Sequence, residues 1–335
     1  MPDPSAPPPP PGTAAELLPG LRWARMPLPF PPRHVNLWFL RDGEGWLAVD
    51  AGASTADATA LWEQLAATEL DGLPVTRLLV THFHPDHVGL AGWVCERWGA
   101  PLLMPRTEYL LARFLRLDTD AGMTAHQVDF ARRAGCPEDY LAFLANRGPL
   151  FARAVVPVPR AFTRIAGGDT LRIGGRDWRV LTGGGHAPEM ACLHCPELGM
   201  LISADQILPR ITPYVGVGAT EPLADPLADF LRSNDRLRAI PPETLVLPSH
   251  GEPFTGLHER IGSIAAHHAE RLDTLAAGCT APRTLFEATA ILFPRVLEPG
   301  PLGFALGETL AHLNRLVVDG RLRREDGEVP RYITA

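Results

Sequence analysis

The sequence contains no lysine. All 31 of its basic residues are arginine, so Schiff-base chemistry and a lysine general base are excluded. Cysteine is sparse and odd in number: Cys95, Cys136, Cys192, Cys195 and Cys279 are too scattered for a disulfide framework. Cys192 and Cys195 form a C-x-x-C around His194, but no second ligand pair matches it, and buried structural thiols are expected there. No stretch of 18 or more apolar residues occurs, so no membrane-spanning helix is expected. The N-terminus lacks the basic and apolar regions of a secretory signal, which makes the cytoplasm the expected location. Positive charge is also short. The formal net charge is −7, so the total charge favours neither nucleic acid nor an anionic membrane.

What is present suits a globular enzyme. At 335 residues, 46% apolar, the chain can bury a large core with one addition. Residues 1–20, opening with a run of proline at Pro7–Pro11, read as a disordered tail. Val35–Leu40 and Trp46–Asp50 flank Arg41-Asp42-Gly43-Glu44-Gly45 as a hairpin, and Thr55 to about Thr68 has helical spacing. Thr76–Val80 reads as a buried strand, with a helix following over Val88–Trp98. Residues 105–155 read as a helical insert, placed to cover a site and select substrate. Strands are expected at 169–173, 177–181, 190–195, 200–203 and 245–247, with a helix at 226–238. After about residue 262 the order becomes three helices and a hairpin, which suggests a winged-helix-like unit over 263–335.

The chemistry concentrates in His82-Phe83-His84-Pro85-Asp86-His87. Four metal-binding side chains in six residues, between a strand end and a helix start, are a specific signal. A loop leaving a strand in extended form points alternate residues the same way, so His82 and His84 can share one ion. Asp86 and His87 can then turn toward a second. Imidazole with carboxylate suits Zn2+ first, with Mn2+ and Fe2+ as alternatives. Downstream, His186 follows Gly183-Gly184-Gly185, Asp205 follows the strand ending at Ser203, and His250 follows Leu245–Leu247. Each stands at a strand end, so all could meet on one rim of a sheet.

On these residues the sequence resembles the metallo-β-lactamase superfamily, over Thr81–Gly89, Gly185-His186, Asp205 and His250, and over about residues 21–262 of the chain. The resemblance implies an α/β fold, a four-layer αβ/βα sandwich with two divalent metals at one edge. It implies one metal on His82, His84 and His186, another on Asp86, His87 and His250, and Asp205 between them. Asp50, in Leu47-Ala48-Val49-Asp50, matches the family's strand-end aspartate and would support a ligand from behind. Asp86 would also orient the nucleophile or pass a proton. His84 stands where flavodiiron oxygen reductases carry glutamate, and Asp205 where many true β-lactamases carry cysteine. Hydrolysis of something other than an exported antibiotic is therefore expected.

The leading expectation is a di-metal hydrolase of a small ester-like substrate: thioester, lactone or carboxylic ester, similar to glyoxalase II or a lactonase. Glyoxalase II itself fits poorly, because its glutathione-binding basic residues, partly lysine, have no match. The alternatives are a metal-dependent endoribonuclease and a metal-binding regulatory protein without turnover. Arg321, Arg323, Arg324 and Arg331 on the wing keep nucleic acid open, but the third helix carries only Arg315. A packing module, or a homodimer contact, is the better expectation for that unit. Tyr214 is a candidate for the pocket or the core alike, and His267 and His268 read as solvated helix surface.

Overall fold

A computed structural model of the chain describes residues 7–295 and 298–335. Two sheets carry the fold. The first has seven strands in sequential order: β1 (Ala14–Leu18), β2 (Leu21–Pro27), β3 (His34–Asp42), β4 (Gly45–Val49), β5 (Val75–Leu79), β6 (Leu102–Pro105) and β7 (Thr163–Ile165). The second has five: β8 (Thr170–Ile173), β9 (Arg176–Gly183), β10 (Met190–Cys195), β11 (Met200–Ala204) and β12 (Leu245–Pro248), with β12 next to β11 at one edge. Pairing is antiparallel from β1 to β4 and parallel from β4 to β7; in the second sheet only β11 and β12 run parallel.

The two-residue period of the strands builds the layers. In β4, Leu47 and Val49 face the second sheet, while Trp46 and Ala48 face helices on the outside. In β10, Ala191, Leu193 and Cys195 face inward while Cys192 faces the opposite helical layer. The sandwich interior holds Trp23, stacked on Trp38 at 5.8 Å, with Leu79, Val180, Ile202 and Leu247. Helices α1 (Ala56–Thr68), α2 (Pro85–Val88) and α3 (Ala91–Trp98) lie on the first sheet's outer side, where Trp62 and Val94 are buried. Thr55 caps α1 by accepting the Ala58 amide at 3.0 Å. Helix α8 (Pro226–Arg236) covers the second sheet together with α9 (Leu257–Gly278), α10 (Leu285–Leu292) and α11 (Pro299–Val318). The result is the expected four-layer sandwich.

Between β6 and β7, residues 105–155 form α4 (Arg106–Leu117), α5 (Ala121–Arg133), α6 (Glu138–Arg147) and α7 (Leu150–Ala154). This insert is not a free flap. Ala131, Tyr140, Leu141 and Leu144 share a core with Leu285, Leu302 and Leu306, and Phe286 donates its amide to the Ala134 carbonyl at 2.9 Å. The terminal hairpin, β13 (Leu322–Glu325) and β14 (Arg331–Thr334), joins the same core through Tyr332, which exchanges two backbone hydrogen bonds with Arg283.

Three expectations change. Ala14–Leu18, placed in the N-terminal tail, is an edge strand: its backbone pairs with Leu21–Ala24, and Ala14, Ala15, Leu17 and Leu18 rest on the core. Residues 1–6 of that tail lie outside the described residues. The boundary expected near residue 262 falls inside α9, because Leu257, Ile261 and Ile264 continue one buried stripe across it. His268 is fully buried in that same stripe, with its Nδ1 3.1 Å from His312 Nε2. Cys192 and Cys195 behave as structural thiols. Three residues apart on a strand, they enter opposite cores, and burial pushes the Cys192 thiol up to about 12. No helix among the described residues is long and apolar enough to cross a membrane.

Leu193 lies at 0% exposure between the sheets. Leu193→Ala should destabilise the protein by about 2–5 kcal/mol in denaturant unfolding. A loss under about 1 kcal/mol would mean the two sheets are not tightly apposed there.

Candidate metal centre

The site forms where strands stop. The chain leaves β4 at Asp50, β5 at Thr81-His82, β9 at the turn before His186, β11 at Asp205 and β12 at Ser249-His250. Two backbone hydrogen bonds tie the sheets together at this rim: the Asn36 amide donates to Ser249 at 2.7 Å, and the Ala191 amide to Thr81 at 2.9 Å. Asp50 and Ala204 take positive φ (66° and 48°), which is costly for non-glycine residues and turns the chain sharply as each strand ends. Gly185 has φ 101°, and a Cβ there would run into Phe230. Only glycine allows the turn that delivers His186.

All seven predicted ligands come together. His82 Nε2 lies 3.0 Å from His84 Nδ1 and 3.2 Å from His186 Nε2. Asp86 Oδ2 lies 3.5 Å from His87 Nε2 and 3.4 Å from His250 Nε2. Asp205 Oδ2 sits between the two sets, 3.3 Å from His186, 3.6 Å from His87 and 3.4 Å from His250. The clusters His82/His84/His186 and Asp86/His87/His250 each bring three ligand atoms within 4.8 Å of one another, and His82/His87/Asp205 links them.

An outer ring fixes which atoms face inward. His87 Nδ1 lies 2.8 Å from the Asp50 carboxylate. His186 Nδ1 is 2.6 Å from the Tyr214 carbonyl, and His250 Nδ1 is 2.7 Å from the His34 carbonyl. An acceptor behind each of these Nδ1 atoms keeps a proton there and turns Nε2 toward the cluster. Thr81 Oγ1 lies 3.0 Å from both Asp50 oxygens and 3.0 Å from His82 Nδ1, so it donates to Asp50 and accepts from His82. The ring is itself braced. His34 Nε2 accepts the Gly251 amide at 2.9 Å, and Asn36 donates to the Pro248 and Gly251 carbonyls, both at 2.8 Å.

Tyr214 serves through its backbone. Its ring lies in a seat where a Cβ on Gly216 or on Gly307 of α11 would overlap the hydroxyl. Phe304 meets the ring edge-on at 5.2 Å. The segment around it is held by α11: the Val217 amide donates to Gly307 at 3.0 Å, Asn314 donates to Ala224 at 2.8 Å, and Arg315 pairs with Asp225 at 2.8 Å.

The protein's own charges divide the cluster. Burial and the neighbouring imidazoles push His82 well below the usual range, and burial pushes His84 down to about 3. Burial acts the same way on His250, but Asp205 and Asp86 overcome it and raise it to about 10. His87 is likewise raised, by Asp86, Asp50 and Asp205 against the effect of burial. Burial opposes the charge on Asp86, yet His87 and His250 hold its carboxyl down at about 2. His87 Nε2, which lies between the Asp86 and Asp205 carboxylates, and Asp205 Oδ1 are buried without any hydrogen-bond partner. Orphaned polar atoms in a nest of nitrogen and carboxylate ligands fit divalent cations.

Sequence reasoning missed Glu108 and His34. Glu108, in the first turn of α4, is 0% exposed and reaches two loops of the site. Nothing in Arg106-Thr107-Glu108 separates it from an ordinary solvent-facing helix start.

Comparison with known proteins agrees with this geometry. Residues 30–250 match the family described as "Metallo-beta-lactamase superfamily", and residues 272–335 match "Metallo-beta-lactamase-like, C-terminal domain". A crystal structure of a beta-lactamase domain protein from Burkholderia ambifaria is 43% identical, covers 99% of this chain and 97% of its own, and superposes with a TM-score of 0.91. A metallo-beta-lactamase family protein from Thermus thermophilus is 32% identical, over 96% and 100% of the two chains, with a TM-score of 0.81. Among curated proteins, the Bacillus subtilis protein named "Probable metallo-hydrolase YqjP" is 27% identical over 87% of this chain and 90% of its own. A hydroxyacylglutathione hydrolase of Cereibacter sphaeroides is 26% identical over 72% and 80%.

Protons held on His87 and His250 must leave when a cation binds. Metal affinity should therefore rise with pH, and binding should release protons, measurable by calorimetry in buffers of different ionisation enthalpy. Asp50→Ala should weaken binding about 10–100-fold. Unchanged affinity would mean Asp50 does not support His87.

Proposed function

The chain belongs to the metallo-β-lactamase superfamily, and from that premise we propose that it is a di-metal hydrolase of small, largely apolar ester-like substrates: thioesters, lactones or carboxylic esters. The carrying observation is the convergence of His82, His84, Asp86, His87, His186, Asp205 and His250 into two joined ligand clusters that include buried, unpartnered polar atoms. We assign His82, His84 and His186 to one ion, Asp86, His87 and His250 to the other, and Asp205 to both. When bound, two divalent cations, Zn2+ first and Mn2+ or Fe2+ as alternatives, supply Lewis acidity and bring the pKa of water to about 7.

The chain's own groups supply the rest. Asp86 is the catalytic carboxylate in this reading. Its side chain keeps 15% exposure against 7% for Asp205, so it is the one better placed to take a proton from an entering water. Aromatic side chains flank the ligands on one side, where Phe83 packs 4.6 Å from His84 and 6.2 Å from Phe151. Such a wall suits an acyl or aryl group.

Two relatives are named hydroxyacylglutathione hydrolase, which favours a thioester within the class. The nuclease reading loses support at the C-terminus. There Arg321, Arg323, Arg324 and Arg331 each pair with a carboxylate, Asp273, Glu325, Asp326 and Glu287, and Arg315 pairs with Asp225. A phosphate backbone would have to break those pairs. We assign the winged-helix-like C-terminal unit a packing role, and the protein a small-molecule partner in the cytoplasm.

The test is a panel of thioesters, lactones, aryl esters and phosphodiesters, with metal analysis. The expected result is about two ions per chain and turnover of esters but not phosphodiesters. His82→Ala should lose metal and fall to background. Activity that survives His82→Ala would place the site elsewhere, and full metal occupancy without any turnover would favour a regulatory protein.

A further inference from the structure

We propose that Glu108 is a positioning residue for the ion held by His82, His84 and His186, acting by clamping the two loops that carry those ligands. The inference rests on the ligand assignment above. Glu108 Oε2 accepts the Phe83 amide at 3.0 Å, and Oε1 accepts the Glu189 amide at 2.6 Å. Phe83 lies between His82 and His84. Glu189 lies three residues after His186, in the turn that follows Gly183-Gly184-Gly185. One carboxylate thus spans both sources of the same three ligands. Glu189 answers in kind, its Oε2 accepting the Thr107 amide of α4 at 3.0 Å.

The chemistry of the position explains why a carboxylate is there. Glu108 is 0% exposed and has no arginine within ion-pair distance among the described residues. Burial of an unpaired acid is costly, and a helix start can be capped more simply from solvent. Two amides on separate loops need two acceptor oxygens at a fixed spacing. Glutamate supplies both. An apolar side chain would leave two buried N–H groups unsatisfied, and glutamine would turn an NH2 toward one of them. The glycine turn before His186 has little stiffness of its own, so its separation from the His82 loop must be set from outside. Glu108 bonds at Phe83, between His82 and His84, and at Glu189, beyond His186, and makes no hydrogen bond to His87, His250 or their braces Asp50 and the His34 carbonyl.

That asymmetry gives the test. Apo protein and the Glu108→Gln variant are titrated with Co2+, following metal stoichiometry and the visible absorption bands of each ion. Glu108→Gln should weaken one ion about 10–100-fold and alter its bands, with the second ion unchanged. Equal weakening of both ions, or none, overturns the proposal. Wild-type protein that binds no Co2+ would instead overturn the metal-site reading itself. Hydrogen exchange on the wild-type chain keeps the clamp falsifiable even if the variant does not fold. The Phe83 and Glu189 amides should both be strongly protected before metal is added. Exchange of either at the rate of an open loop overturns the clamp, whatever the metal result.

Discussion

Five imidazoles and two carboxylates crowd the edge of an apolar sandwich, and the rest of the structure answers to the charge problem they create. Burial disfavours protonated His82 and His84, while Asp86 and Asp205 must stay ionised beside them. Two members, His87 Nε2 and Asp205 Oδ1, are left buried without a hydrogen-bond partner. Divalent cations would resolve the conflict, because they can use the lone pairs of both clusters at once. Everything behind the first ring of ligands serves to keep those lone pairs converging. Acceptors stand behind Nδ1 of His82, His87, His186 and His250, sharp turns close the strands, and hydrogen bonds join the two sheets at the rim.

The support comes from three different parts of the chain. Asp50 and Thr81 belong to the first sheet and brace His87 and His82. His34 and Asn36, also from the first sheet, reach across to hold the His250 loop of the second. The Tyr214 carbonyl holds His186, and α11 holds the segment that carries Tyr214. The insert shares its core with α10 and α11, so the additions to the sandwich form one mass beside the site rather than separate appendages.

The seven residues of the cluster were legible in the sequence because each is local to a strand end. His82 to His87 declare themselves by density, and the later three follow short apolar runs that stop at a turn. The support was mostly invisible. His34 and Tyr214 act through carbonyl oxygens, which every residue possesses. Glu108 looks like any acid in a first helical turn, and only tertiary packing buries it. His268 is different, since its neighbours His267, Glu270 and Arg271 suggest solvent. Its spacing from Leu257, Ile261, Ile264, Leu272 and Leu275 already placed it on the inward stripe. Strand β1 was hidden by the prolines before it, and the four-residue β6 by its shortness.

The seat of Tyr214 sets which parts of the molecule can drift under mutation. Phe304 and Phe151 stand in aromatic pairs with Tyr214 and Phe83, contacts that a different side chain can remake. Gly307 and Gly216 leave no such latitude, since a Cβ at either would overlap the tyrosine hydroxyl. A methyl group there would push on the residue whose carbonyl stands behind His186. The placing of one imidazole thus depends on the absence of a side chain at two glycines.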